Sequence, residues 1–137
     1  RGIWAALSFK PTRTQQEQVE QVLERIRLIE RQNDPAGSLS HGQKQWLEIG
    51  MLLVQDAQLL LVDEPAAGMT DAETEQTAEL LQEISGTKSV MVVEHDMEFV
   101  KALDCRVSVL HEGSVLAEGT HSEVQSNATV IEVYLGR

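Results

Sequence analysis

The sequence predicts an α/β fold, and three observations carry that prediction. Leu59-Leu60-Leu61-Val62 and Ser89-Val90-Met91-Val92-Val93 are short, nearly continuous apolar runs that end against acidic residues. Runs of that length and composition are how strands buried on both faces of a parallel sheet read. Between them, residues 72–84 carry a helical pattern that stops near Ser85-Gly86. Strand, helix and strand in that order make a βαβ unit, the building block of an α/β sheet.

The remaining elements follow in chain order. From Thr14 to Asn33, Val19, Val22, Leu23, Ile26 and Ile29 recur at spacings of three and four, with Glu, Gln and Arg between them. That spacing predicts an amphipathic helix, closed by "NDPAG". A second helix is expected from Ser40 to Val54, with Trp46, Ile49 and Leu53 on one face. Met97 to Leu103 reads as a short helix. "RVSVLHEGSVLAEG" then reads as two strands joined at Glu112-Gly113, a hairpin. The tail "HSEVQSNATVIEVYLGR" reads as helical and gathers Val130, Ile131, Val133, Tyr134 and Leu135 near its end. There is no internal repeat and no low-complexity tract.

Composition excludes several function classes. The 137 residues are 42 % apolar and 24 % charged, the balance of a globular domain or of part of a larger one rather than of a disordered chain. Twenty-two acidic against eleven basic residues give a net charge of -11, which removes the electrostatic footprint of a nucleic-acid binder. Any phosphate must therefore be caught locally. One cysteine, Cys105, cannot form an internal disulfide, which points to a reducing compartment, and it reads as a small buried residue rather than a nucleophile. No apolar run approaches the ~20 residues needed to span a bilayer, and no signal-peptide pattern opens the chain. The chain starts on Arg1-Gly2 without methionine, which reads as a processed product or a piece of something longer.

Three constellations carry chemistry. Asp63 and Glu64 follow an apolar strand and so stand at its carboxyl end, where open α/β sheets place ligands. There an aspartate can orient Mg²⁺ through water, and a glutamate can polarise an attacking water. Read alone, the same pair could simply open a solvated loop before Pro65. Glu94-His95-Asp96 follows the second apolar strand, so His95 arrives at the same sheet edge. A neutral imidazole there can donate to a phosphate oxygen from one nitrogen and accept at the other. The third constellation is Ser40-His41-Gly42-Gln43. Ser40 and Gln43 fit a capping box, but Gly42 costs a helix roughly 0.5–1 kcal/mol against alanine and serves no cap. A phosphate approaching the helix N-terminus would explain it.

Together these pieces resemble the nucleotide-binding subunit of ABC transporters. "LSHGQ" looks like the signature sequence, "LLLVDEP" like Walker B with its catalytic glutamate, "AAGMTD" like the D-loop and "VVEHD" like the switch-histidine loop. Within that family, "LSHGQKQWLEIGMLL", "DEPAAGMTDAET", "VVEHDMEFV" and "VIEVYLGR" are similar to importers of the branched-chain amino acid class, and among them to the ATP-binding subunit of urea importers. The fold this implies is the C-terminal part of a P-loop NTPase (RecA-like) core, residues 56–137, with part of its helical subdomain, residues 1–55.

Carried over residue by residue, the resemblance makes Glu64 the general base, His95 the γ-phosphate sensor and Asp63 the Mg²⁺-orienting carboxylate. Leu39, Ser40, His41, Gly42 and Gln43 would contact ATP bound by the opposite subunit, and Gly68, Met69 and Thr70 would belong to the D-loop. ATP and Mg²⁺ are the implied cofactors. A second ATPase subunit, in a homo- or heterodimer, and transmembrane permease subunits are the implied partners, with an extracytoplasmic solute-binding protein acting indirectly. The implied location is cytoplasmic, peripheral on the inner face of the membrane, and the implied solute is urea or else a branched-chain amino acid. His41 stands where glycine is commonest in the signature, and Thr70 where many members carry aspartate; the urea-type resemblance includes both changes.

None of the nine glycines precedes a lysine, so the sequence holds no G-x-x-x-x-G-K-[ST] phosphate loop. These residues are therefore expected to be the C-terminal part of a longer ATPase and to be inactive alone. A non-catalytic module that docks a permease or partner ATPase through the Thr14–Asn33 and signature helices is the alternative.

Overall fold

A computed structural model describes residues 11–135. Helix α1 (Arg13–Arg25) starts from a capping box, in which the Thr12 side chain accepts from the Gln15 N–H and Gln15 returns to the Thr12 N–H. Helices α2 (His41–Val54) and α3 (Asp71–Ser85) begin in the same way, from Ser40 with Gln43 and from Thr70 with Glu73. Strands β1 (Leu59–Asp63) and β2 (Ser89–Val93) pair in parallel, from Leu59 opposite Ser89 to Asp63 opposite Val93. With α3 as the crossover, this is the predicted βαβ unit. Then follow α4 (Met97–Ala102), the antiparallel hairpin of β3 (Arg106–His111) and β4 (Ser114–Thr120), α5 (His121–Gln125) and α6 (Ala128–Leu135). Glu112 and Gly113 at the hairpin tip both have positive φ, +48° and +78°, as a type I′ turn requires. The helical tail breaks at Asn127, whose side chain accepts from the N–H groups of Thr129 and Val130 and so starts α6 afresh.

The first helix is shorter than its sequence pattern: it ends at Arg25 rather than Asn33. Arg27 takes a left-handed conformation, φ +62°, and the Leu28 and Arg27 N–H groups close back on Leu23 and Glu24. This is a Schellman close without its usual glycine. Side chains two apart on a helix point to different sides, so a continuing helix could not bury both Ile26 and Leu28. The reversal buries both. The Arg27 guanidinium holds it from outside, donating to the Glu79 and Glu83 carboxylates of α3.

The core joins Ile26, Ile49 and Leu53 to Leu60, Leu81 and Phe99. Inside it, the Trp46 indole N–H donates to Thr77 Oγ1 at 2.8 Å. Gly50 lets α1 approach α2, since a Cβ there would lie 2.6 Å from Ile26 Cδ1. The strands are not buried on both faces as their composition predicts. Leu60 and Val62 face the core, whereas Leu59 is 54 % and Leu61 65 % exposed, and Met91 and Val93 are exposed beside them. Leu80, Leu81 and Ile84 of α3 line the same core as Leu60 and Val62, and nothing among the described residues buries the opposite face. Cys105, expected to be buried, is exposed before β3. Desolvation at the sulfur and then the neighbouring Asp104 charge push its thiol up, which makes it a poorer nucleophile.

Candidate functional site

The parallel ladder delivers the first group of site residues. Its last rung is the Glu64 N–H donating to the Val93 carbonyl at 2.9 Å. Beyond it the chain turns sharply: Glu64 is left-handed at φ +45°, Pro65 is buried, and the Ala67 N–H closes on the Glu64 carbonyl. A non-glycine residue held there stores on the order of 1–3 kcal/mol of strain. The turn brings Glu64 Oε1 to 3.3 Å from His95 Nδ1, with both side chains open to solvent. Asp63 lies beside them, also exposed. The edge-of-sheet reading thus brings Asp63, Glu64 and His95 together.

Between the strand and His95 stands a residue to which the sequence reading gave no role. The Glu94 side chain is only 2 % exposed. Its Oε1 accepts from the Ala66 N–H at 3.0 Å, and its Oε2 accepts from the His95 and Asp96 N–H groups at 3.0 and 3.4 Å. The available signal was an acid at the end of an apolar strand, directly before the histidine. Asp96 has a different duty: it caps α4 by accepting from the Glu98 and Phe99 N–H groups.

The second group gathers at the N-terminus of α2. The Ser40 hydroxyl donates to Glu73 Oε1 at 2.7 Å while its oxygen accepts from the Gln43 N–H. Glu73 Oε2 accepts from both the N–H and the hydroxyl of Thr70. One carboxylate therefore ties together the starts of α2 and α3. The Ser40 hydroxyl, followed by the Thr70 backbone and side-chain donors, holds the Glu73 carboxyl below its ordinary range. A Cβ on Gly42 would meet Glu73 Cδ and Oε1 at 2.9 Å. Gly42 thus has a reason inside the chain beside the expected phosphate: the Glu73 side chain fills the space that a Cβ would take.

Two more residues of the expected motifs pack against the fold. The Leu39 side chain is buried in the core. The half-buried Met69 sulfur lies 3.3 Å from the Thr77 hydroxyl, which donates to the Glu73 carbonyl at 2.7 Å. His41 lies over Gly68, where an added Cβ would sit 3.6 Å from the ring. An open cleft of about 700 Å³ runs past Gly68, Met69, Glu94, His95 and Phe99.

No cluster of three or more His, Cys, Asp or Glu among the described residues has the makings of a closed metal site. A single exposed aspartate at a strand end nevertheless fits Mg²⁺, which keeps most of its water and borrows one or two carboxylates. At the sheet edge Asp63 is the residue that could hold such a metal. The α2 terminus fits a phosphate only with the Glu73 carboxylate moved.

Comparison with known proteins gives the family. The family model for the ABC transporter matches residues 3–67, and that for the branched-chain amino acid ATP-binding cassette transporter matches residues 114–137. The high-affinity branched-chain amino acid transport ATP-binding protein LivG of Salmonella typhimurium is 36 % identical over 142 residues, covering 98 % of this chain. The chain belongs to the ABC transporter ATPase family. BraF of Pseudomonas aeruginosa, another high-affinity branched-chain amino acid transport ATP-binding protein, is 34 % identical across 98 % of this ABC chain. Among solved structures, the ADP conformation of MJ1267, an ATP-binding cassette of an ABC transporter, superposes with a TM-score of 0.83 at 25 % identity, covering all of this chain and 57 % of that one. The ABC chain spans about half the length of the curated relatives it matches, 56 % of LivG and 54 % of BraF. No helix among the described residues is long and apolar enough to cross a membrane.

Proposed function

We propose that the chain carries the hydrolytic edge and the signature turn of an ATP-hydrolysing subunit that drives an ABC importer. The Glu64–His95 pair, 3.3 Å apart at the carboxyl ends of two parallel strands, is the observation that carries this reading. The Glu64 carboxylate accepts a proton from a water and so activates it for attack. His95 would donate to a phosphate oxygen from one ring nitrogen, and a neutral ring keeps the other nitrogen as an acceptor. Asp63 would hold Mg²⁺ through water; the metal would neutralise charge on the transferred phosphoryl group. Ser40, Gly42 and Gln43 would meet ATP on a second ATPase subunit, and the 68–70 segment would couple the two sites.

In this reading residues 1–55 belong to the helical subdomain and residues 56–137 to the ATPase core, with residues 1–10 outside the described part. The subunit sits on the cytoplasmic face of a permease, served by an extracytoplasmic solute-binding protein. The names of LivG and BraF favour branched-chain amino acids as the solute over urea.

The test is Glu64→Gln in the full-length ATPase that contains these residues. Loss of the base should lower hydrolysis ~10²–10⁴-fold while ATP binding persists. A variant that keeps most of its turnover overturns the assignment. Uptake by the assembled importer of labelled leucine but not labelled urea supports the solute class; the reverse result refutes it.

A further inference from the structure

We propose that Glu94 is a positioning residue for the Glu64–His95 pair, its buried carboxylate acting as the cross-link between two loops where the sheet ladder has run out. The inference rests on the reading of Glu64 as the base. The parallel ladder stops at the bond from the Glu64 N–H to the Val93 carbonyl. Past that rung, Glu94 Oε1 takes the Ala66 N–H from the loop after β1, and Oε2 takes the His95 and Asp96 N–H groups of the loop after β2. One planar group thus sets the distance between the backbones that carry the base and the histidine.

The position of Glu64 makes that link matter. Its left-handed backbone is pinned on one side by the Val93 carbonyl and on the other by the bond from Ala66 to Glu94. Strained conformations persist only where the surroundings over-determine them. The carboxylate has only acceptors to offer, and it spends them on three backbone donors while its side chain is 2 % exposed. Among the described residues, the cationic candidate within 4 Å of it is His95 Nδ1, at 3.9 Å, farther than the 3.3 Å to Glu64. Glu94 therefore holds the His95 backbone and leaves the ring to Glu64. A glutamine in its place presents an amide NH₂ to one of the two loops, where N–H donors already point, so one loop is released.

The experiment uses the full-length ATPase with Glu94→Gln and Glu94→Asp. In each, kcat is expected to fall ~10- to 10²-fold, the scale of a misplacement of about 1 Å, with KM for ATP and the thermal midpoint little changed. Combining Glu94→Gln with Glu64→Gln should add no further loss, because Glu94 acts through Glu64. A further loss as large as the one seen in the wild-type background overturns the proposal, and so does an equal fall in kcat and thermal stability, the mark of a merely structural role. Hydrogen exchange at the Ala66 and Asp96 amides provides a readout independent of turnover: Glu94→Gln should speed both while the α3 amides stay protected. If Glu64→Gln alone leaves hydrolysis intact, the reading of Glu64 has failed; unchanged exchange at Ala66 and Asp96 means that the cross-link itself has failed.

Discussion

The Glu73 carboxylate stands 2.9 Å from the point that a Cβ on Gly42 would occupy. It reaches Ser40, 33 residues away in sequence, and is the reason the first turn of α2 can lack a side chain there. Gly42→Ala therefore sets two effects against each other. Alanine favours the helix by roughly 0.5–1 kcal/mol, while its methyl group pushes a flexible carboxylate off the Ser40 hydroxyl. The expected result is a Glu73 carboxyl that titrates nearer its ordinary range, with little change in the thermal midpoint. Carboxyl-carbon NMR titration of both proteins checks it; a Glu73 titration that does not move refutes the link.

Acid stability follows from the same group. Glu73, Glu118, Glu123 and Asp56 are all held below their ordinary values, first by hydrogen bonds from Ser40, Ser108, the Thr120 backbone and Lys88 respectively. A carboxyl that is depressed in the folded state adds stability above its unfolded value, and that stability is lost as pH falls through the folded one. Urea midpoints should therefore hold until the ordinary values of 4.5 for glutamate and 3.8 for aspartate are approached, then drop as pH falls further. Glu73→Gln and Glu123→Gln should each make that drop shallower. A slope unchanged in both variants counts against the hydrogen-bond origin of the effect.

At Gly50 the close approach is to a buried neighbour, and the outcome should differ. An added Cβ would meet Ile26 Cδ1 at 2.6 Å and Val22 Cγ1 at 3.3 Å, inside a packed helix–helix contact. Overpacking costs typically about 1–3 kcal/mol, more than alanine returns through helix propensity. Gly50→Ala should lower the unfolding free energy, whereas Gly37→Ala, with nothing within 4 Å, should be neutral. Denaturant midpoints of the two variants decide the point, and equal midpoints would refute it.

Thr77→Val removes the acceptor for the Trp46 indole without changing the shape of the side chain. An orphaned buried donor costs about 1–3 kcal/mol. Unfolding should become easier by that amount, while circular dichroism of the native state stays the same. A variant as stable as the parent would mean that the indole has another partner.

Much of this was legible in the sequence because periodicity and order are local properties. The βαβ unit, the hairpin turn and the Ser40 capping box needed only neighbouring residues, and parallel strand order alone placed His95 beside Glu64. What escaped was set across the fold. Arg27 ends α1 with no glycine to mark the turn, and its partners Glu79 and Glu83 lie in another helix. Apolar composition in β1 reports what a strand can bury rather than what covers it, so Leu59 and Leu61 looked like Leu60. Gly42 was visible as an anomaly, but the Glu73 side chain packed against it was not. Leu39 was assigned with its motif although its side chain belongs to the core. Glu94 was hidden because its work is done on backbone N–H groups, which leave no trace in the letters.

The left-handed backbone at Glu64 has a consequence for any attempt to improve this protein. Glycine takes that conformation without penalty, so a screen for thermal tolerance alone should drift towards Glu64→Gly, gaining robustness and discarding the proposed base. Stability and chemistry pull this one position in opposite directions, which makes it the place where a hardened variant must first be checked for activity.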